Sequence, residues 1–236
     1  SSRCSKLAHR RRACAAMERT SRQLRCLVVD VGGVTNEDSG IKDTVRRRAR
    51  GLAGGVDAGE LAKDVWRAHR DDPSISQEAW WAELCDAVGL DPASVPEMQA
   101  EVAATLRTSF PETLRVLQRA KEKGIVLGVV SNHMSFLFCE CAESSGLYGL
   151  VAEELTIVSS EVGCSKPGVR IFQLFLERLA VMHPGLRATD CVFVDDKEAN
   201  VAAARSLGFA GVCYDARKAV PGELESALRG AGLELD

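Results

Sequence analysis

Apolar residues fall along this chain in two rhythms. Short, nearly unbroken runs occur at Cys26–Val31 (CLVVDV), Ile125–Val130 (IVLGVV), Leu155–Val158, Cys191–Val194 (CVFV) and Phe209–Tyr214. Runs of this length, bounded by turn residues, suit strands buried on both faces of a parallel sheet. Between them the apolar positions recur at helical spacing, over Glu112–Lys123, Met134–Ser144, Val169–Leu179, Ala199–Leu207 and Gly222–Arg229. Gly124, Gly146 and Gly208 stand where helix C-caps are wanted. Strands alternating with helices from residue 110 onward predict a doubly wound α/β fold with a mainly parallel sheet.

Residues 37–109 break this alternation. They show helical patterns and no convincing strand. Asp57–Arg70 opens on an Asp cap and sets Leu61, Val65 and Ala68 on one face. Gln77–Val88 carries Trp80, Trp81, Leu84 and Val88, and Glu97–Thr108 carries Met98, Val102 and Leu106. The expected organisation is a basic tail without fixed structure (1–22), a core made of 23–36 and 110–236, and a helical insertion (37–109). Trp80 and Trp81 read as core, with one of them able to face a ligand. Arg46-Arg47-Arg48 and Arg50 read as a solvated basic face, with attraction of a phosphate as the sharper alternative.

Composition narrows the class. With 46% hydrophobic and 27% charged residues the chain has the profile of an ordinary globular protein. No apolar run approaches the ~18 residues that a membrane helix needs. The net charge of -3 hides two opposite parts. Residues 1–25 hold seven Arg and one Lys against Glu18, leaving the rest at about -10. An acidic body argues against nucleic acid as a partner. The tail lacks the apolar stretch of a secretory signal. It reads as an upstream extension before Met17, with a targeting or anion-binding role as the alternative. Nine Cys without a C-x-x-C give no zinc or disulfide pattern and fit a reducing, cytoplasmic setting.

The chemistry should sit at the carboxyl ends of the strands, where open α/β sheets bind ligands. Those ends offer Asp30, Ser131 with Asn132, Lys166 before Pro167, and Asp195-Asp196. Carboxylates converging on one edge repel, and a hard divalent cation such as Mg²⁺ resolves this while leaving room for a phosphate. Asp30 is then an anionic nucleophile for phosphorus, Ser131 a phosphoryl ligand and Lys166 a charge neutraliser. The helix starting near Lys197 adds its dipole to the anion site.

These four strand-end motifs, in this order, resemble those of the haloacid dehalogenase-like (HAD) hydrolases. The likeness is closest in VVSNHM, SSEVGCSKPGVRIFQLFL and VFVDDKEANVAAARSLGF. Within that superfamily they are similar to the glucose-1-phosphatase-like enzymes and the N-terminal phosphatase domain of soluble epoxide hydrolases. The resemblance implies a HAD-like Rossmannoid core with an inserted C1-type helical cap. It implies a Mg²⁺-dependent phosphatase of a small phosphorylated metabolite, acting through an aspartyl-phosphate. It makes Asp30 and Lys166 catalytic, with Ser131, Asn132 and Lys166 on the phosphate. Asp30, Gly32 through its carbonyl, Asp195 and Asp196 become the metal ligands, and Asn200 and His133 supporting residues.

One position departs from the pattern. Most phosphatases of the family carry D-x-D, the second Asp moving the proton, whereas here that position is Gly32. Either the leaving group needs little protonation, as in an anomeric sugar phosphate, or another acid substitutes; Glu37, Asp38 and His133 are candidates by position. Two rival functions stand beside the phosphatase: a metal-independent 2-haloacid dehalogenase, which the Asp195-Asp196 pair argues against, and a non-catalytic HAD-like binding domain. Oligomeric state is open.

Overall fold

The computed structural model describes residues 24–49 and 56–235. The expected basic tail (1–22) and Arg50 lie outside the described residues. Five strands form one parallel sheet: β1 (Cys26–Val29), β2 (Val126–Ser131), β3 (Thr156–Val158), β4 (Cys191–Asp195) and β5 (Ala210–Cys213). Their order is β3-β2-β1-β4-β5. The chain moves outward from β1 through β2 to β3, then returns to β4 on the other side of β1. That reversal opens a crevice at the carboxyl ends of β1 and β4. The doubly wound α/β expectation is met.

Nine helices of two turns or more surround the sheet among the described residues. Four follow β1: α1 (Ile41–Arg48), α2 (Ala58–His69), α3 (Gln77–Val88) and α4 (Val95–Leu106). The others are α5 (Pro111–Glu122), α6 (Ser135–Ser145), α7 (Val169–Met182), α8 (Glu198–Ser206) and α9 (Glu223–Ala231). Single turns at Leu147–Leu150 and Ser159–Val162 complete the connections. Helices α7 and α8 pack together on one side of the sheet, and α5 and α9 on the other. Phe172, Phe175, Phe193 and Phe209 interlock beneath α7, with Phe172 and Phe193 edge to face at 5.0 Å. Gly128 on β2 makes room for this cluster, since a Cβ there would lie 2.4 Å from the Phe175 ring. Cys26 and Cys191 are register partners on β1 and β4, and the seven described cysteines are all free thiols. No helix among the described residues is long and apolar enough to cross a membrane.

The inserted helices form their own layer. The Asp57 side chain caps α2 by accepting the Gly59 and Glu60 N–H groups. Gly59 lets α2 approach α1 closely, because a Cβ there would collide with Lys42 and Arg46. The buried face of α2 is Ala58, Ala62 and Val65, turned from the expected one so that Ala68 is exposed. Trp80 and Trp81 are both buried and meet edge to face at 4.9 Å, and Trp80 also packs on Phe136 of α6. They seal the joint between the insertion and the sheet layer. The basic run of α1 is absorbed by carboxylates: Arg46 pairs with Asp57, Arg47 with Glu101, and Arg48 with Glu97 and Glu101. None of these three arginines lines the cleft described next.

Candidate active site

Sheet register assembles the site. Val29 pairs with Val129 on one side and Val194 on the other. The next residue, Asp30, donates its N–H to the Val194 carbonyl at 2.9 Å. It therefore stands between Ser131 and Asp195, on the two flanking strands. Beyond it the chain curls around the Val31 carbonyl, which accepts the N–H groups of Val34, Thr35 and Asn36. This turn ends β1 two residues earlier than the apolar run suggests. Gly33 sits in the turn at φ 77°, where an L side chain is strained, and a Cβ there would press on the Asp196 carboxylate.

Asp30 is buried, and its Oδ1 is saturated. It accepts from the Val31 N–H at 2.7 Å and the Ser131 hydroxyl at 3.1 Å, and is ion-paired with the Lys166 ammonium at 2.8 Å. Its Oδ2 takes no hydrogen bond among the described residues. Lys166 is 1% exposed, donates to Asp195 and the Val130 carbonyl, and is ion-paired with Asp30 at 2.8 Å. Both ends of this residue are fixed, because Asn132 accepts its backbone N–H at 2.8 Å and donates to its carbonyl at 2.9 Å. The Asn132 side chain thus positions Lys166, a role the sequence did not suggest.

The two aspartates of the pair separate in function. Asp195 is fully buried, and both its oxygens are already engaged by Lys166, Asn200 and the Lys197 N–H. Burial pushes its carboxyl up, against the pull of Lys166. Asp196 directs Oδ2 to Arg217 at 2.8 Å, while its buried Oδ1 accepts no hydrogen bond among the described residues and faces the Lys197 ammonium at 3.4 Å. Burial raises this carboxyl too, and Asp38 and Asp195 add to the effect. Asp30, Asp195 and Asp196 each present an oxygen within 4.8 Å of the others. All-oxygen donors with one buried orphan fit a hard cation such as Mg²⁺.

His133 is buried with Nδ1 2.8 Å from the Ser131 hydroxyl. Burial drives its pKa down to about 4, so the ring is neutral near pH 7 and is not the cationic acid a leaving group would need. Asp38 occupies the place left by the missing second Asp. A Cβ on Gly32 would lie 2.5 Å from Asp38 Oδ1, and Oδ2 accepts from Arg217 at 2.6 Å. Glu37 does not line the cleft.

The cleft measures about 400 Å³. Asp30, Gly32, Asp38, Asn132, His133, Lys166, Lys197 and Asn200 line it from the sheet side. Lys63, Trp66, Arg67 and Arg70 of α2 line it from above. These four were missed in the sequence, although they recur at i, i+3, i+4 and i+7, a polar stripe opposite the buried one.

A family model for haloacid dehalogenase-like hydrolases matches residues 24–208, which spans β1–β4 and the inserted helices. The chain belongs to the haloacid dehalogenase-like hydrolases. Among curated relatives, it is 28% identical over 108 residues to a glyceraldehyde 3-phosphate phosphatase of Methanocaldococcus jannaschii, covering 45% of this chain and 44% of that protein. It is 37% identical over 78 residues to a phosphatase of the same name from Methanothermobacter thermautotrophicus, covering 33% and 34%. The chain thus spans less than half the length of these curated relatives. Among solved structures it resembles a HAD family enzyme of Bacteroides thetaiotaomicron, with TM-score 0.64, 16% identity, and 86% and 98% of the two chains covered. The magnesium complex of that enzyme gives TM-score 0.60 at 16% identity, over 82% and 94%. At these identities the likeness concerns the fold.

Proposed function

We propose that this HAD-like hydrolase is a Mg²⁺-dependent phosphatase of a small phosphorylated metabolite, with sugar phosphates inside that class. The observation that carries the reading is the state of Asp30. One oxygen is held by two donors and the Lys166 ammonium, and the other is unengaged and faces a cleft of metabolite size. The names of the two archaeal relatives support phosphate as the group removed. The inserted helices α1–α4 serve as a cap over the site.

Asp30 Oδ2 attacks phosphorus, forming the Asp30–phosphorus bond as the ester P–O bond breaks. Lys166 and Ser131 keep the attacking carboxylate aligned and balance its charge. Asp38 Oδ1 passes a proton from solvent to the departing oxygen. It then takes one from the water that cleaves the aspartyl-phosphate, which releases phosphate and restores Asp30. Arg217 holds Asp38 over Gly32 for both transfers. Asp30, Asp196 and the Gly32 carbonyl would hold Mg²⁺, which supplies charge neutralisation at the phosphoryl group. Asp195 keeps Lys166 and Asn200 in register instead of ligating the ion directly.

The test is phosphate release from p-nitrophenyl phosphate and a metabolite panel, with Mg²⁺ or with EDTA. Activity lost in Asp30→Asn and in EDTA is the expected result. Turnover surviving either change would refute the reading.

A further inference from the structure

The cap side of the cleft carries more positive charge than one phosphate needs. Asp30 and Lys166 form the floor of the cleft. Above it, α2 turns Lys63, Arg67 and Arg70 into the same cleft, with Trp66 among them. Helix-dipole complementation accounts for basic residues in the last turn, but not for their gathering on the cleft face. Two of the three have local partners, Lys63 with Glu60 at 3.6 Å and Arg67 with Asp64 at 2.9 Å. Arg70 forms no ion pair among the described residues. Its Nε is buried without a hydrogen-bond partner. Its guanidinium lies over the Trp66 ring, 5.3 Å from the centroid.

The position of Arg70 is fixed relative to the reacting centre. Its carbonyl accepts the Ser159 hydroxyl, and the next residue, Asp71, accepts the Ser165 hydroxyl at 2.8 Å. Ser165 immediately precedes Lys166. Two hydrogen bonds thus tie the end of α2 to the segment that delivers the catalytic lysine. A guanidinium stacked on an aromatic ring and anchored to the site, whose terminal N–H groups make no hydrogen bond among the described residues, is a preformed receptor for a planar or tetrahedral oxyanion.

We propose that Arg70, stacked on Trp66 and flanked by Arg67, forms a second anion subsite. The substrate is then a phosphomonoester that bears another negative group, a carboxylate or a second phosphate, at the end away from the reacting phosphate. This rests on the phosphatase reading above.

Matched substrates test it with the full chain and Mg²⁺. The carboxylate arm compares 3-phosphoglycerate with glycerol 3-phosphate, and the phosphate arm compares fructose 1,6-bisphosphate with fructose 6-phosphate. The expected result is a kcat/KM preference of tenfold or more for the doubly anionic member in one arm, which identifies the second group. Arg70→Gln is expected to reduce that preference at least tenfold, through KM. The ratio is taken within one preparation, so a partly unfolded variant cannot mimic the effect. Equal or reversed preference in both arms overturns the proposal, as does a ratio unchanged in Arg70→Gln. Hydrolysis of p-nitrophenyl phosphate, abolished by Asp30→Asn, is run alongside. Its absence would sink the phosphatase reading itself, whereas its presence with no anion preference sinks only the second subsite.

Discussion

Replacing Gly32 with Ala isolates the contribution of Asp38 without touching Asp38. The backbone at Gly32 does not have positive φ, so alanine fits the main chain. The added Cβ falls 2.5 Å from Asp38 Oδ1, whereas carbon–oxygen contacts settle at about 3.3 Å or more. The carboxylate must therefore swing by roughly 0.8 Å. It ends a half-exposed side chain whose only tether among the described residues is the exposed ion pair with Arg217, so stability should change by less than about 1 kcal/mol. Activity should suffer far more. General acid–base catalysis is worth about 10²–10⁴-fold, and a displacement of this size costs about 10²-fold. For an alkyl phosphate, whose alkoxide must be protonated to leave, we expect kcat to fall about 10²-fold, or about 2.7 kcal/mol. For p-nitrophenyl phosphate, whose phenolate leaves unaided, the fall in first-turnover phenolate release should stay within about tenfold. Asp38→Asn should show the same contrast, and the double variant should be no worse than Asp38→Asn alone. The assay is first-turnover release of alcohol or phenolate from the two esters, with kcat alongside, for all four proteins, and melting curves as the control. Equal losses on the two esters, or multiplicative losses in the double variant, would refute the assignment of Asp38.

Two further outcomes follow from the packing. His133 has a folded pKa near 4 against an unfolded value of 6.5, so its neutral form is the one that folding keeps. Its contribution is fully present above about pH 6.5 and is lost as the pH falls through 4, amounting to about 3 kcal/mol. The melting temperature should drop over that window in the wild type and much less in His133→Asn; an identical pH slope in both would disprove it. Asp215, held near 2 by Arg217, acts only at lower pH. Gly128→Ala forces a methyl into the fully buried Phe175 ring and should destabilise by about 1–3 kcal/mol in urea unfolding. A neutral effect would mean that the aromatic cluster can shift.

The sheet was legible because parallel strands buried on both faces must be apolar throughout, and CLVV, VLGVVS and CVFVD stand out against any background. Helix α3 begins and ends where its apolar spacing does, at Gln77 and Val88. Boundaries slipped where a tertiary turn intervened, as at Val31. The insertion was recognisable as helical, but its functional face was not. Two features conspicuous in the sequence, the arginine run of α1 and the Trp80-Trp81 pair, are consumed by carboxylates and by packing. The inconspicuous stripe of Lys63, Trp66, Arg67 and Arg70 is what reaches the cleft.

The sequence by itself determined the order of elements, the strand ends and the chemical types gathered there. Those follow from local periodicity and from the rule that a doubly wound sheet opens at its carboxyl edge. Only the tertiary structure decided how the groups divide the work. Asp195 and Asp196 are neighbours with the same side chain, yet one is saturated by Lys166 and Asn200 and the other keeps a buried oxygen that, among the described residues, accepts no hydrogen bond and meets only the Lys197 ammonium at 3.4 Å. Asp38 folds back over Gly32, and the end of the helix leading to Arg70 is pinned by the hydroxyls of Ser159 and Ser165. Hydrogen-bond partners and free space are properties of residues brought together from distant parts of the chain, and no local pattern encodes them.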